Sequence, residues 1–169
     1  MVDILSIWNV LIKGCNSINL NYTFIKANQA GNLPPYPYVT INCLTPYKRD
    51  KDMIRGTITQ NNVIGDDTKV QINKTETPQM VFSLSSYSDK LDECLEVLKD
   101  TINYLTFIGK QYFQDNGLII LECSPITDKT SWLETDYQYK WGFDLTIRVT
   151  DIVTMQIDTI GSVETINEN

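Results

Sequence analysis

The sequence predicts an α/β fold of the α+β kind: a mixed, mainly antiparallel sheet with one long C-terminal strand and two helices. Three observations carry this. From Tyr137 to Val149 every odd position is aromatic or aliphatic (Tyr137, Tyr139, Trp141, Phe143, Leu145, Ile147, Val149), and the even positions hold polar residues or glycine, the alternation of a strand with one buried face. Two other stretches repeat apolar residues at the helical period, and the remaining apolar runs are short, β-branched or aromatic, and separated by turn-forming segments.

Taken in order, Ile4, Ile7, Trp8, Leu11 and Ile12 fall on one helix face, with Asp3 placed as N-cap and Gly14 as stop. Residues 19–27, with Tyr22, Thr23, Phe24 and Ile25, read as a strand. Asn28 to Pro37 holds three prolines and a glycine and reads as a loop. Tyr38 to Leu44 is apolar on both faces, so it is expected as a central strand. The mixed charges of Tyr47 to Arg55 suit a solvated strand end, and 54–59 with 69–73 form an expected hairpin across a turn rich in Asn, Gly and Asp.

Gln79 to Tyr87 alternates Met80, Phe82 and Leu84 with polar or small residues, another strand. Ser88 is placed to cap a main helix whose apolar positions Leu91, Cys94, Leu95, Leu98, Ile102, Leu105 and Ile108 keep one period until Asn116-Gly117. Leu118 to Glu122 reads as a buried strand, and a loop through Trp132 leads to the long strand. At about 3.3 Å per residue, residues 136–150 span about 45 Å, so this strand crosses the whole domain or projects from it, with Gly142 the easiest place for a bulge or bend. Beyond Ile152 the apolar residues show no clear period. The expectation is one domain over 1–154 and a tail, 155–169, that is disordered alone or adds a strand to a partner's sheet edge.

The 169 residues suffice for one core without staples. Cys15, Cys43, Cys94 and Cys123 are widely spaced with no CxxC pair, which suits reduced core thiols. With no histidine in the chain, Ser/His and Cys/His catalysis is excluded and the commonest metal ligand is missing. Carboxylates, the remaining acid/base groups, are spread over helix faces and turns, and no glycine-rich phosphate loop is present. The acids near Asp66 lack the order of a calcium loop. Neither catalytic, metal nor cofactor-binding residues are expected. The formal charge of −7 argues against nucleic-acid binding, and the apolar run 4–12 is too short for a membrane span. On the polar face of the long strand, Asp136, Lys140, Asp144 and Arg148 alternate in sign. Spaced about 13 Å apart, they cannot pair with one another; their partners lie on neighbouring strands or another subunit, which makes them candidate inter-subunit contacts beside the plain reading of a solvated face.

Three blocks, 24–45 (FIKANQAGNLPPYPYVTINCLT), 80–98 (MVFSLSSYSDKLDECLEVL) and 137–151 (YQYKWGFDLTIRVTD), together resemble the neck or tail-terminator proteins of tailed bacteriophages and of contractile, phage-tail-like bacteriocins. The matching residues include Ala27, Asn28, Gln29, Pro37, Tyr38, Tyr87, Tyr139, Gly142 and Phe143, with Trp141 inside the last motif and Lys140 where the family more often has arginine. The segment 49–74 is less family-like. The resemblance implies a sheet with helices on one side and a structural, non-enzymatic role in the neck or collar of a virion or tail-like particle assembled in the bacterial cytoplasm. It also implies a homohexameric ring on the last ring of the tail tube, with the tail tube protein, the tail sheath protein and a head connector or collar protein as partners. DNA would be a passing cargo that the acidic ring does not bind, and no membrane is involved. The alternatives are a connector, head-completion or tube-initiation ring of the same particle, and a small-ligand-binding domain built on Tyr36, Tyr38 and Trp132.

Overall fold

In the computed structural model, which describes residues 3–17, 22–29, 31–49, 56–63, 66–130 and 138–158, one helix precedes five strands, and a second helical segment precedes four more. The fold is mixed α+β with mainly antiparallel sheets, as the patterning predicts. Helix α1 (Ile4–Asn16) starts where expected, Leu5 N donating to the Asp3 carboxylate at 3.0 Å. Gly14 does not stop it. The rings of Tyr112 and Phe113 lie against this glycine, and a Cβ there would sit 2.5 Å from Tyr112 Cε1, so its missing side chain serves packing instead. The helix ends at Ser17, and the Asn16 carboxamide then clamps Phe24, donating to its carbonyl (2.9 Å) and accepting from its N–H (2.8 Å).

The main sheet has the order β1 (Thr23–Lys26), β2 (Tyr38–Lys48), β5 (Gln79–Ser88), β8 (Tyr139–Val149) and β6 (Leu118–Cys123), with the two-residue β7 (Thr127–Asp128) also on β8. Only β1 and β2 are parallel. β2 is interior, as its two apolar faces suggest. By contrast β6, expected as a buried strand, is an edge strand with Ile119 and Leu121 exposed: a short apolar run does not reveal how many neighbours it will have. β7 lies in a stretch read as loop, and Trp132, Asp136 and Tyr137 fall outside the described residues.

The expected single long helix is three pieces: α2 (Leu91–Asn103), a π turn (Tyr104–Ile108) and α3 (Lys110–Asp115), ended by Asn116 and Gly117 as predicted. The π turn closes with Gly109 N donating to Tyr104 O at 2.8 Å. One extra residue in a turn rotates the following segment against the first. Buried positions therefore run Cys94, Leu98, Thr101, Leu105, Gly109, Phe113, and Ile108, expected on the core stripe, is exposed. Leu91 is exposed too, because α2 begins there. Ser88 is the last residue of β5, two positions before the Lys90 cap; its hydroxyl accepts from Lys90 N (3.2 Å) and donates to Glu93 Oε2 (2.6 Å), holding the turn instead of capping the helix.

The helices cover one face of this sheet. Ile7, Leu11 and Cys15 of α1, Val97 and Leu98 of α2, Leu105 and Phe113 pack on Phe24, Val39, Ile41, Met80, Phe82, Leu84, Phe143, Leu145 and Ile147. The opposite face carries Thr40, Asn42, Ser83, Ser85, Tyr38, Tyr87, Lys140, Asp144, Thr146 and Arg148, aligned across strands by register.

A second sheet has the order β3 (Thr57–Val63), β4 (Asp66–Glu76) and β9 (Asp151–Asp158). The expected hairpin is its β3–β4 pair. β9 is unexpected: the sequence beyond Ile152 read as a tail without a period, and the boundary placed at 154 falls inside this strand. Its alternation, Val153, Met155, Ile157, is masked by Ile152, and its pairing with β4 supplies what periodicity does not. Residues 159–169 lie outside the described residues. The two sheets share one ribbon. Pairs from Ser88↔Tyr139 to Gln79↔Arg148, and from Glu76↔Asp151 to Lys69↔Asp158, keep a single antiparallel register, interrupted only at Thr77-Pro78, where Pro78 has no N–H to give but its carbonyl accepts from Val149 N at 3.1 Å. At about 3.3 Å per residue this ribbon is about 65 Å long. The strand that leaves the helix-covered sheet is thus the continuation of the predicted long strand.

Candidate functional site

Two constellations stand out. The first gathers residues from all three motif blocks at the start of β2. Tyr38 opposes Tyr87 in register, and Tyr87 opposes Lys140; residues opposed across a sheet share a face. The rings of Tyr36 and Tyr38 stack with centroids 5.6 Å apart, those of Tyr38 and Tyr87 at 4.9 Å, and Lys140 Nζ lies 5.4 Å from the Tyr87 ring centre, a cation over the negative face of the end ring. Gln138 donates its side-chain amide to the Tyr36 hydroxyl. Burial, then the neighbouring phenols Tyr36 and Tyr87, push the pKa of Tyr38 above the ordinary phenol value, so it stays a neutral donor.

The chain reaches this stack through a turn in which Asn28 has φ 60°, a left-handed conformation that asparagine tolerates better than most residues. Ala27 N donates to Ile41 O at 2.9 Å, fixing the turn to β2. Asn28, Gln29, Pro34, Tyr38, Tyr87 and Gln138 line a cleft of about 360 Å³ here. Its amides, phenols and flat rings suit contact with polypeptide, and none of its described lining residues is a carboxylate. The structure therefore brings together Asn28, Gln29, Pro37, Tyr38, Tyr87 and Lys140.

The other motif residues serve the sheet. Phe143 is fully buried, opposite Leu84. Trp141 is half-buried at the edge of the core, opposite Ser86, and Tyr139 opposes Ser88. Gly142, expected as a bulge, lies in unbroken register between Ser85 and Thr127; a Cβ there would be 2.4 Å from the Leu84 carbonyl oxygen, so glycine is needed for close strand approach, not for bending. Lys140, Asp144 and Arg148 share the open face of β8. Asp144 takes its partner from the same chain: Lys129 Nζ reaches Asp144 Oδ1 at 3.1 Å and Ser83 Oγ at 2.8 Å. Arg148 stands between Gln79 and Ile119 on its neighbouring strands. Asp136 is outside the described residues.

The second constellation was not anticipated. Where the main sheet passes into the second one, Glu76 and Asp151 oppose each other and are buried, 8% and 6% exposed. Tyr47 donates to Glu76 Oε2 (2.8 Å) and reaches Asp151 Oδ2 (3.4 Å); Lys74 Nζ pairs with Glu76 Oε1, and Arg49 Nε lies 3.5 Å from Oε2. The cluster joins three separate stretches of chain, Tyr47 with Arg49, Lys74 with Glu76, and Asp151, which only the fold brings together, so no local spacing announces it. The Lys74 bond first, then the Tyr47 hydroxyl, hold the Glu76 carboxyl below its ordinary value. Asp128, bonded by Thr130, is likewise lowered. Both shifts run opposite to what a general acid near neutrality needs.

A carboxyl whose folded pKa is depressed adds stability above its unfolded value, and that stability is lost as pH falls through the folded one. The joint should therefore be intact above pH 4.5, the ordinary value, and loosen only below it. Tyr47→Phe removes a bond to the ionised form, so loosening should begin at higher pH than in the wild type; Val153 and Ile152 amide shifts in an NMR pH titration would read this.

Burial raises the Cys15 thiol to about 12 and Cys123 to about 11, and all four cysteines are free, which leaves them protonated and weakly nucleophilic at neutral pH. Among the described residues no cluster of three or more His, Cys, Asp or Glu could hold a metal, and no helix is long and apolar enough to cross a membrane. No curated protein matches this sequence. Comparison with protein families matches residues 3–169 to the phage neck terminator proteins, which bears out the resemblance carried by the three motif blocks: the chain belongs to the phage neck terminator family.

Proposed function

We propose that this structural component of a phage neck caps the head-proximal end of a tail as a ring of six copies, ends tube and sheath growth, and offers the next surface to a head connector or collar protein. One observation carries the reading beyond the family: helices cover only one face of the main sheet, while the other presents a broad array of Thr, Ser, Asn, Asp and Arg side chains with a rigid tyrosine stack at its end. An antiparallel sheet can leave such a face in water; in a ring it gains two uses, a wall against a neighbour and a wall toward the channel. Lys140 and Arg148 on that face, with the Lys129–Asp144 pair, are the candidate inter-subunit charges. Six copies at −7 each would make an acidic ring through which DNA passes without adhering.

Electron microscopy of particles made without this protein tests the proposal. Overlong or ragged tube ends are the expected result. Tails of normal length that fail to join a head or collar would reassign the protein to a connector of the same particle, and wholly normal particles would overturn the structural role.

A further inference from the structure

Along the helix-covered face of the central ribbon the cross-strand pairs run Leu84↔Phe143, Phe82↔Leu145 and Met80↔Ile147, and further along the same face comes Glu76↔Asp151. Beyond it stand Lys74↔Val153, Ile72↔Met155 and Val70↔Ile157. Two buried carboxylates thus interrupt an apolar stripe where the main sheet ends. Like charges directly opposed weaken a strand pair, and buried charges need partners. The backbone helps less here as well, since Pro78 offers no N–H. At this point the ribbon depends on groups from elsewhere.

Those groups come from two sides. Lys74 belongs to β4, the strand that carries Glu76, so its ion pair stays within the second sheet. Tyr47 lies near the end of β2, a strand of the main sheet, and Arg49 follows that end. The Tyr47 hydroxyl donates to Glu76 Oε2 at 2.8 Å and lies 3.4 Å from Asp151 Oδ2, and Arg49 Nε lies 3.5 Å from the same Glu76 oxygen. The pairing of β2 with β5 shifts register between Cys43 and Thr45 and again between Thr45 and Lys48, irregularities of the kind that re-aim side chains at a strand's end. The second sheet is fitted closely on its own side: a Cβ on Gly56, just before β3, would sit 2.6 Å from the Thr75 carbonyl oxygen and 2.9 Å from Glu76 Cγ. Among the described residues, β3, β4 and β9 otherwise pack chiefly on one another.

We propose that Tyr47 and Arg49 form a latch that sets the angle between the two sheets, with Thr77-Pro78 and the facing Thr150 as the hinge. One hydroxyl reaching two opposed carboxylates ties both strands of the ribbon to β2 at once, and Arg49 adds a positive charge from the same side. Without them the second sheet is held chiefly by the two strands that run on into it, β5 from β4 and β8 into β9, which can bend together where the ladder is interrupted. A preset angle gives every copy the same shape, and preorganisation of this kind lowers the cost of association. The latch lies within one chain, so it stands or falls apart from the ring reading.

Residual dipolar couplings of the backbone amides at neutral pH test this, because they report the orientation and the angular spread of each sheet separately. In the full-length wild type, couplings from β2, β5 and β8 and those from β3, β4 and β9 are expected to fit one alignment tensor of one magnitude. In the double variant Tyr47→Phe/Arg49→Gln the magnitude for the second sheet should fall while that of the main sheet stays, and each single variant should show a smaller loss in the same direction. Both residues are exposed at a strand end, so the main sheet should fold unchanged. Lys74→Gln is the control: it removes a cation beside Glu76 without cutting a link between the sheets, so the two magnitudes should remain equal. A second sheet at full magnitude in the double variant, or unequal magnitudes already in the wild type, would overturn the latch. So would an equal loss in Lys74→Gln, which would make the cluster a matter of neutralisation alone, and so would collapse of the main sheet's dispersed spectrum in the single variants, which would make Tyr47 and Arg49 requirements of the fold itself.

Discussion

Phe143→Ala is expected to lower the free energy of unfolding by about 3–5 kcal/mol, out of the roughly 5–15 kcal/mol that such a domain has in all. The ring is fully buried in the core cluster, on the central strand β8, across from Leu84 and on the face that the helices cover. Truncation removes its transfer free energy and leaves a cavity whose walls come from different elements, so no single one can move in to fill it. Urea unfolding followed by far-UV circular dichroism would show the midpoint shift. Trp141, two residues before, is the informative comparison. From the sequence alone it carries the same expectation of collapse on truncation, yet it is half-buried at the core's margin, so Trp141→Ala should cost clearly less than Phe143→Ala. Equal losses would mean that β8 is held by something other than the packing described.

Gly142→Ala should also destabilise, by about 1–3 kcal/mol or more, where the same change in most strands would be neutral or favourable because glycine is a weak strand former. The sign follows from a distance: the added Cβ would lie 2.4 Å from the Leu84 carbonyl oxygen and 3.0 Å from Ser85 Oγ. A side chain could step aside, but a carbonyl held in the β5–β8 ladder cannot without opening that ladder. The measurable outcome is a lower unfolding midpoint with faster amide exchange at Leu84 and Ser85. A variant as stable as wild type would show that the strands separate more easily than this contact implies.

How much was legible can be argued from three residues. The β8 alternation was readable because a half-buried strand writes its two faces directly into odd and even positions, and Phe143 could be assigned to the core on that basis alone. Gly142 was readable only as a special position; whether glycine marks a bulge or a close approach depends on what the neighbouring strand places opposite it, and that is a tertiary fact. Ile108 was misassigned because the helical period was carried straight through a π turn, and nothing in a run of Tyr, Leu, Thr, Phe and Ile distinguishes an i→i+5 turn from an ordinary one. At the site, the motif residues Asn28, Tyr38 and Tyr87 could be named in advance, but not that they join Lys140 in one stack. The joint at Tyr47, Glu76 and Asp151 was not legible at all.

The sequence by itself determined the class of fold, the absence of histidine chemistry, the acidic charge and, through its three motif blocks, the family. These are properties of composition and of short-range periodicity, which each segment carries alone. The tertiary structure decided which strands are edges, that the ribbon runs on past the helix-covered sheet into a second, three-stranded sheet, and that buried carboxylates face each other where the two meet. Pairing partners are chosen by long-range register, and register depends on where the other strand happens to be, which no window of sequence contains.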